Sequence, residues 1–110
     1  MAEVKKIESN EEFQEFAKNA NSLNIIKISA PWCGPCRALA EIIKGLTQEE
    51  VEGVLIGEVD ADDEWFEDKA VELKIRGIPV LLAYKDGELK DRVQGAMMKE
   101  ALIDFFERNR

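Results

Sequence analysis

The chain has 110 residues, yet it contains no histidine, two cysteines, three prolines and one tyrosine. Without histidine there is no Ser-His-Asp or Cys-His nucleophile and no imidazole ligand for a metal. Two cysteines alone make a poor structural zinc site, which usually takes four Cys/His ligands, so no metal is expected. No apolar run approaches the ~20 residues of a membrane span. The start, Met1 to Phe13, is charged throughout and lacks the apolar core of a signal peptide. Positive charge is also scarce: 15 basic against 23 acidic side chains give a formal charge of −8. That argues against nucleic acid, whose phosphates need clustered Lys and Arg. What is present, 45% apolar and 35% charged residues, reads as one soluble globular domain over residues 1–110.

The negative charge is uneven. Residues 31–60 carry 2 basic and 6 acidic groups, and residues 61–75 carry the same counts, while the two ends nearly balance. All of the excess therefore lies between Pro31 and Ile75. Such a run is either a set of solvated helix ends and loops or an acidic flank that steers basic partners.

Periodicity gives the elements. Val4–Glu8 is a short strand. Ser9-Asn-Glu-Glu12 fits a capping box, with Phe13, Phe16, Ala17 and Ala20 following at helical spacing. Leu23–Ala30 (LNIIKISA) is rich in β-branched residues, as a buried central strand would be. Pro31 ends it, and a helix is expected from Cys33 to about Glu50, burying Leu39, Ile42, Ile43 and Leu46. Gly53–Asp60 is another buried strand. Asp62 or Asp63 can cap a helix to about Lys74 that turns Phe66, Ala70 and Leu73 inward. Val80–Tyr84 is a strand, Asp86-Gly87 a hairpin signal, and Glu88–Gln94 the returning strand. A last helix, to about Glu107, turns Met98, Leu102 and Phe105 inward. The order βαβαβαββα predicts an α/β fold: a mixed sheet of about five strands with about four helices on its two faces.

The residues that carry chemistry are Trp32-Cys33-Gly34-Pro35-Cys36, directly after the central strand and opening a helix. A thiol at a helix N-terminus meets the positive end of the macrodipole and unpaired N–H groups, which favour thiolate. Cys36 lies one helical turn on, and that spacing allows a small-loop disulfide. Pro35 suits a first helical turn, and Gly34 lets another chain approach. Two buried inert cysteines, or half of a metal site, are the plainer alternatives. They account poorly for the whole pentapeptide in its strand-to-helix setting.

WCGPC at 32–36, Gly77-Ile78-Pro79 before the fourth strand, the Asp86-Gly87 hairpin and Gly95-Ala96 before the last helix together resemble the thioredoxin family. The resemblance covers essentially the whole chain, and thioredoxins are the type example of a Cys-x-x-Cys beside a β-α-β unit. It implies the thioredoxin fold. It implies that Cys33 is the attacking cysteine and Cys36 the resolving one, joined as a redox-active disulfide when oxidised. Pro79 matches the family's cis-proline. Ile78 would pair its backbone with an extended substrate segment, and Trp32, Gly34, Pro35, Gly77, Gly95 and Ala96 would line the groove around it. For Gly95, a plain strand-end glycine reads nearly as well.

Three positions depart from the family pattern. Lys27 stands where a buried aspartate is usual, Glu58 where the next strand often has a lysine, and Glu41 where a proline commonly kinks the helix. The acid–base pair is thus expected with its charges exchanged, and the helix is expected straighter. A buried ammonium is costly, so Lys27 either pairs with Glu58, gives up its proton or snorkels to the surface. As a pair, Lys27 and Glu58 are candidates to modulate the thiols' proton affinity, with Glu58 or neutral Lys27 as base. Ser29 replaces an aromatic residue, and Trp65 is extra by comparison, read as core or half-exposed surface.

The implied activity is thiol–disulfide oxidoreduction, the reduction of protein disulfides through Cys33 and Cys36. Gly-Pro between the cysteines resembles the reducing members of the family. No bound cofactor is needed, since both electrons reside on sulfur; an NADPH-dependent flavin reductase, a thioredoxin reductase, would restore the dithiol. Absence of further cysteines fits a reducing cytoplasm, and a monomer is expected. The alternatives are an accessory binding module of the same fold, or a dedicated electron donor to one partner enzyme.

Overall fold

The structure, a computed structural model, describes residues 2–110. Strand β1 (Val4–Lys6) leads into helix α1 (Asn10–Ala17), then β2 (Leu23–Ser29), α2 (Gly34–Lys44) and β3 (Val54–Asp60). A 3-10 turn (Glu64–Phe66) runs into the short helix α3 (Glu67–Glu72), and β4 (Val80–Lys85), β5 (Glu88–Gln94) and α4 (Lys99–Asn109) complete the chain. The five strands form one sheet in the order β1-β3-β2-β4-β5. The first three are parallel, whereas β4 runs antiparallel to both β2 and β5. This is the thioredoxin fold, as the resemblance implied.

Every residue of β2 is buried, as expected of a strand covered on both faces. Alternation then sends its side chains to two cores. Leu23 and Ile25 join Leu39, Ile43, Leu46, Leu102, Phe105 and Phe106 beneath α2 and α4. Ile26 and Ile28 join Phe13, Phe16 and Phe66 beneath α1 and the 3-10 turn. The close seat of α1 depends on Gly57, where a Cβ would lie 2.6 Å from Ile7 Cδ1 and 3.1 Å from the Phe16 ring. By the same alternation, Lys27 and Ser29 fall on the α2 face.

Several boundaries differ from expectation for local reasons. Helix α1 has its cap at Ser9, whose Oγ accepts the Glu12 N–H at 3.1 Å, but Glu12 reaches back to the Glu8 N–H, one residue earlier than in a standard box. It ends at Ala17, so Ala20 is exposed. Helix α2 ends at Lys44 with Gly45 as its cap, because Thr47 and Glu50 bind each other's backbone N–H and close a separate turn. The helix passes through Glu41 without a break, and Glu41 pairs with Lys44 at its surface. The Asp62–Lys74 helix divides in two: the Asp63 carboxylate binds the Trp65 indole N–H and caps nothing. Trp65 itself is half-buried against Phe13 and Phe66. Met98 points outward and is 71% exposed, since it sits at the N-cap of α4, and Met97 packs on the core in its place. At the β4–β5 turn both Asp86 and Gly87 have positive φ, 53° and 84°, the paired left-handed geometry of a tight hairpin.

Candidate active site

The parallel strands β2 and β3 end side by side, and the chain leaves β2 directly into α2. That exit places Cys33 at the N-cap of α2, with Pro35 inside the first turn, where no N–H is missed. Cys33 and Cys36 form a disulfide with their Cα atoms 5.2 Å apart. Cys33 Sγ also accepts the Cys36 backbone N–H at 3.2 Å. This is the oriented N–H that favours negative charge on that sulfur once the bond is open. Both cysteines are buried with Ala30, and Ile78 packs against them.

The partner side of the site comes from the loop before β4. The Ile78–Pro79 peptide is cis, and the Ile78 carbonyl oxygen lies 4.0 Å from Cys33 Sγ. Gly95 donates its N–H to the Pro79 carbonyl at 2.8 Å, tying the end of β5 to this loop. The Gln94 amide lies over Gly77, filling the space where a Cβ would sit. Trp32 is 68% exposed, and its indole N–H donates to Asp62 at 2.7 Å. Gly34, Pro35 and Ala96 are exposed around the same rim, and Gly77 and Ile78 are half-buried in it. The disulfide, the Gly77–Pro79 loop and the Gly95 turn are thus drawn together.

Beneath the disulfide, β2 and β3 set Lys27 opposite Glu58 in register. Lys27 does not snorkel: its side chain is 4% exposed, and its ammonium lies 3.1 Å from Glu58 Oε2, on a side chain 31% exposed. The exchanged pair is therefore formed. Ser29 donates its hydroxyl to the same Oε2 at 3.0 Å. A cavity of about 220 Å³ is lined by Lys27, Ser29, Cys36 and Glu58 and by Arg37, Asp60 and Asp63. Asp60, Asp62 and Asp63 bring part of the acidic stretch to the margin of the site.

Sequence reasoning missed three supporting contacts. Asp62 binds Trp32 instead of capping a helix. Arg37 donates to the Pro31 carbonyl at 2.8 Å. Ser29 binds Glu58 and does not merely replace an aromatic residue. The alternation of β2 was the available signal, since it puts residues 27 and 29 on one face. Among the described residues, no three His, Cys, Asp or Glu side chains gather as metal ligands would, and no helix is long and apolar enough to cross a membrane.

A sulfur pair that forms and opens a short disulfide at a helix N-terminus defines a thiol–disulfide oxidoreductase. The thioredoxin family model matches residues 4–108. The chain is 40% identical over 98 residues to a thioredoxin of Chlamydia caviae, covering 89% of this chain and 91% of the relative. It is 36% identical over 101 residues to thioredoxin C-2 of Corynebacterium nephridii, covering 92% of each. The crystal structure of Malassezia sympodialis thioredoxin superposes with a TM-score of 0.83 at 25% identity, covering 99% of this chain and 92% of that one. The chain belongs to the thioredoxin family. It is a protein-disulfide reductase working by dithiol–disulfide exchange through Cys33 and Cys36, and its family carries the electrons on sulfur without a bound cofactor.

Proposed function

We propose that Cys33 is the attacking and Cys36 the resolving cysteine of a cytoplasmic, monomeric reductant in which residues 1–110 act as one domain. Cys33 thiolate attacks one sulfur of a substrate disulfide. A Cys33–substrate bond forms, the substrate S–S bond breaks, and the departing thiolate takes a proton. Cys36 then gives up its proton and attacks Cys33 Sγ. The mixed disulfide breaks, and the second substrate sulfur leaves as a thiol. The substrate gains two electrons and two protons, and the protein is left as the Cys33–Cys36 disulfide.

The Cys36 N–H on Cys33 Sγ supports the order of attack, since it favours thiolate on the first sulfur. The Ile78 carbonyl, 4.0 Å from Cys33 Sγ in the loop before β4, supports substrate pairing through the Ile78 backbone, with Trp32, Gly34, Pro35, Gly77, Gly95 and Ala96 as groove walls. Glu58 acts as the acceptor of the Cys36 proton, and ammonium Lys27 stabilises the thiolate that results. An NADPH-dependent, flavin-containing thioredoxin reductase returns the dithiol.

Reduction of insulin by dithiothreitol, with precipitation of the freed chains as readout, tests the reading. The wild type accelerates precipitation, Cys33→Ser falls to the uncatalysed rate, and Cys36→Ser accumulates mixed disulfides. Equal rates for wild type and Cys33→Ser would refute it.

A further inference from the structure

Glu58 is held asymmetrically. The Lys27 ammonium at 3.1 Å and the Ser29 hydroxyl at 3.0 Å both meet Oε2. Among the described residues no donor meets Oε1. The carboxylate also borders the cavity that Cys36 borders, so water between them needs no displacement of protein atoms. Ser29 is otherwise an odd choice for a strand buried along its whole length, where a β-branched apolar side chain packs better. Its hydroxyl is spent on a single oxygen of a single carboxylate.

We propose that Ser29 is a positioning residue for the resolving step: together with Lys27 it clamps Glu58 through Oε2 and leaves Oε1 free to take the Cys36 proton through water in the cavity. The inference rests on the reading of Glu58 as proton acceptor. The proton leaves Cys36 Sγ, crosses by way of water and forms the Oε1–H bond of Glu58. The electron pair left on Cys36 makes the Cys33–Cys36 bond as the bond from Cys33 to the substrate breaks. The other charged groups around the cavity are Lys6 and Glu8 from the β1 side, Arg37 of α2, and Asp60 and Asp63 at and after the end of β3. A Ser29 substitution leaves all of them in place, so a change in the pH profile is assigned to the clamp.

The test mixes the reduced full-length chain with a bis(nitrobenzoate) disulfide and follows the released nitrobenzoate thiolate by stopped-flow absorbance. The first release reports attack by Cys33, and the second reports resolution by Cys36. In Ser29→Ala the second phase slows about tenfold, as expected when a proton acceptor loses its fixed geometry, and its pH midpoint moves. The first phase keeps its rate, and Ser29→Thr, which restores a hydroxyl, restores the second phase. A Ser29→Ala profile that superposes on wild type, with Glu58→Gln still altered, overturns the clamp and leaves the Glu58 reading standing. If Glu58→Gln also superposes on wild type, both readings fall. A second phase that stays slow in Ser29→Thr, at a wild-type melting temperature, shows that the hydroxyl is not the cause and likewise overturns the clamp.

Discussion

The two ends of β2 each bury polar side chains, and they do so to opposite effect. Near its start, Asn24 is fully buried. Its amide donates to the Ala17 carbonyl at 3.1 Å and the Asn19 carbonyl at 3.0 Å, and its oxygen accepts the Ser22 hydroxyl at 2.7 Å. Those bonds tie the end of α1 to the strand. Near its other end, Lys27 and Ser29 converge on one oxygen of Glu58 beside a cavity that also reaches Cys36. A buried polar group bound wholly to backbone and neighbouring side chains stabilises the fold. One that faces a cavity with bonding capacity to spare can exchange a proton. Both ends satisfy the rule that buried polar groups find partners, so burial alone does not separate them; the chemistry of the partner does.

The comparison breaks most visibly if the chemical end is made apolar. In Lys27→Met/Glu58→Leu both charges leave together, so no uncompensated charge stays buried, and the lost acceptor of the Ser29 hydroxyl offsets the gain, leaving stability within about 1–2 kcal/mol of wild type. On the proposed reading of Glu58 as proton acceptor, the resolving phase slows by about 100-fold, within the usual reach of general acid–base catalysis. Urea unfolding and the stopped-flow second phase measure the two effects on the same protein. A double variant that resolves at the wild-type rate removes the distinction between the two ends.

That distinction was only half legible in the sequence. The run LNIIKISA marked β2 as a central strand, and the WCGPC pentapeptide after it marked the redox cysteines. Positions 27 and 58 stood out because they exchange a pair of charges, and the register of β2 on β3 sets them face to face. Ser29 stood out only as a missing aromatic residue: alternation sets it on the face of Lys27, but the spacing within β2 does not say which side chain of the next strand its hydroxyl meets. The same limit explains the helix ends. Thr47-x-x-Glu50 carries the pattern of a capping box, yet it closes a turn of its own past Gly45, where reading TQEE by propensity continues α2. The Asp62–Lys74 segment reads as one helix until Asp62 and Asp63 are drawn off to the indoles of Trp32 and Trp65. Met98 follows a helical spacing that assumes the helix has already begun, and its place is the cap.

Asn24→Ala sharpens the other half of the comparison. It leaves the Asn19 carbonyl and the Ser22 hydroxyl without their buried partner, while the Ala17 carbonyl keeps the Gly87 N–H at 2.9 Å. The expected loss is about 2 kcal/mol of stability, read as a lower urea midpoint at unchanged slope. Both phases of thiol exchange keep their wild-type rates and pH profiles in the folded protein. A shift in the second-phase profile would mean that the start of β2 communicates with Cys36 after all.

The smallest effect belongs to a polar cluster that shares neither feature, on the outer edge of the sheet. The Asn109 amide, bonded to Asp91 at 2.8 Å, holds that carboxyl below the usual aspartate range; partial burial opposes the shift, and Arg108 at 2.9 Å reinforces it. A carboxyl whose folded value is depressed adds stability that is present above its unfolded value, about 3.9, and is lost as pH falls through the folded one. Asp91→Asn therefore lowers the melting temperature near neutral pH by about 1–3 °C, and the gap to wild type closes in acid. The effect is small because Arg108 is half exposed and salt screens the pair, so added salt shrinks the gap as well. An exposed edge cluster that titrates without touching thiol exchange fixes the scale for the Lys27–Glu58 end. Only there should a change of a few ångströms in hydrogen bonding move a reaction rate and leave the melting temperature still.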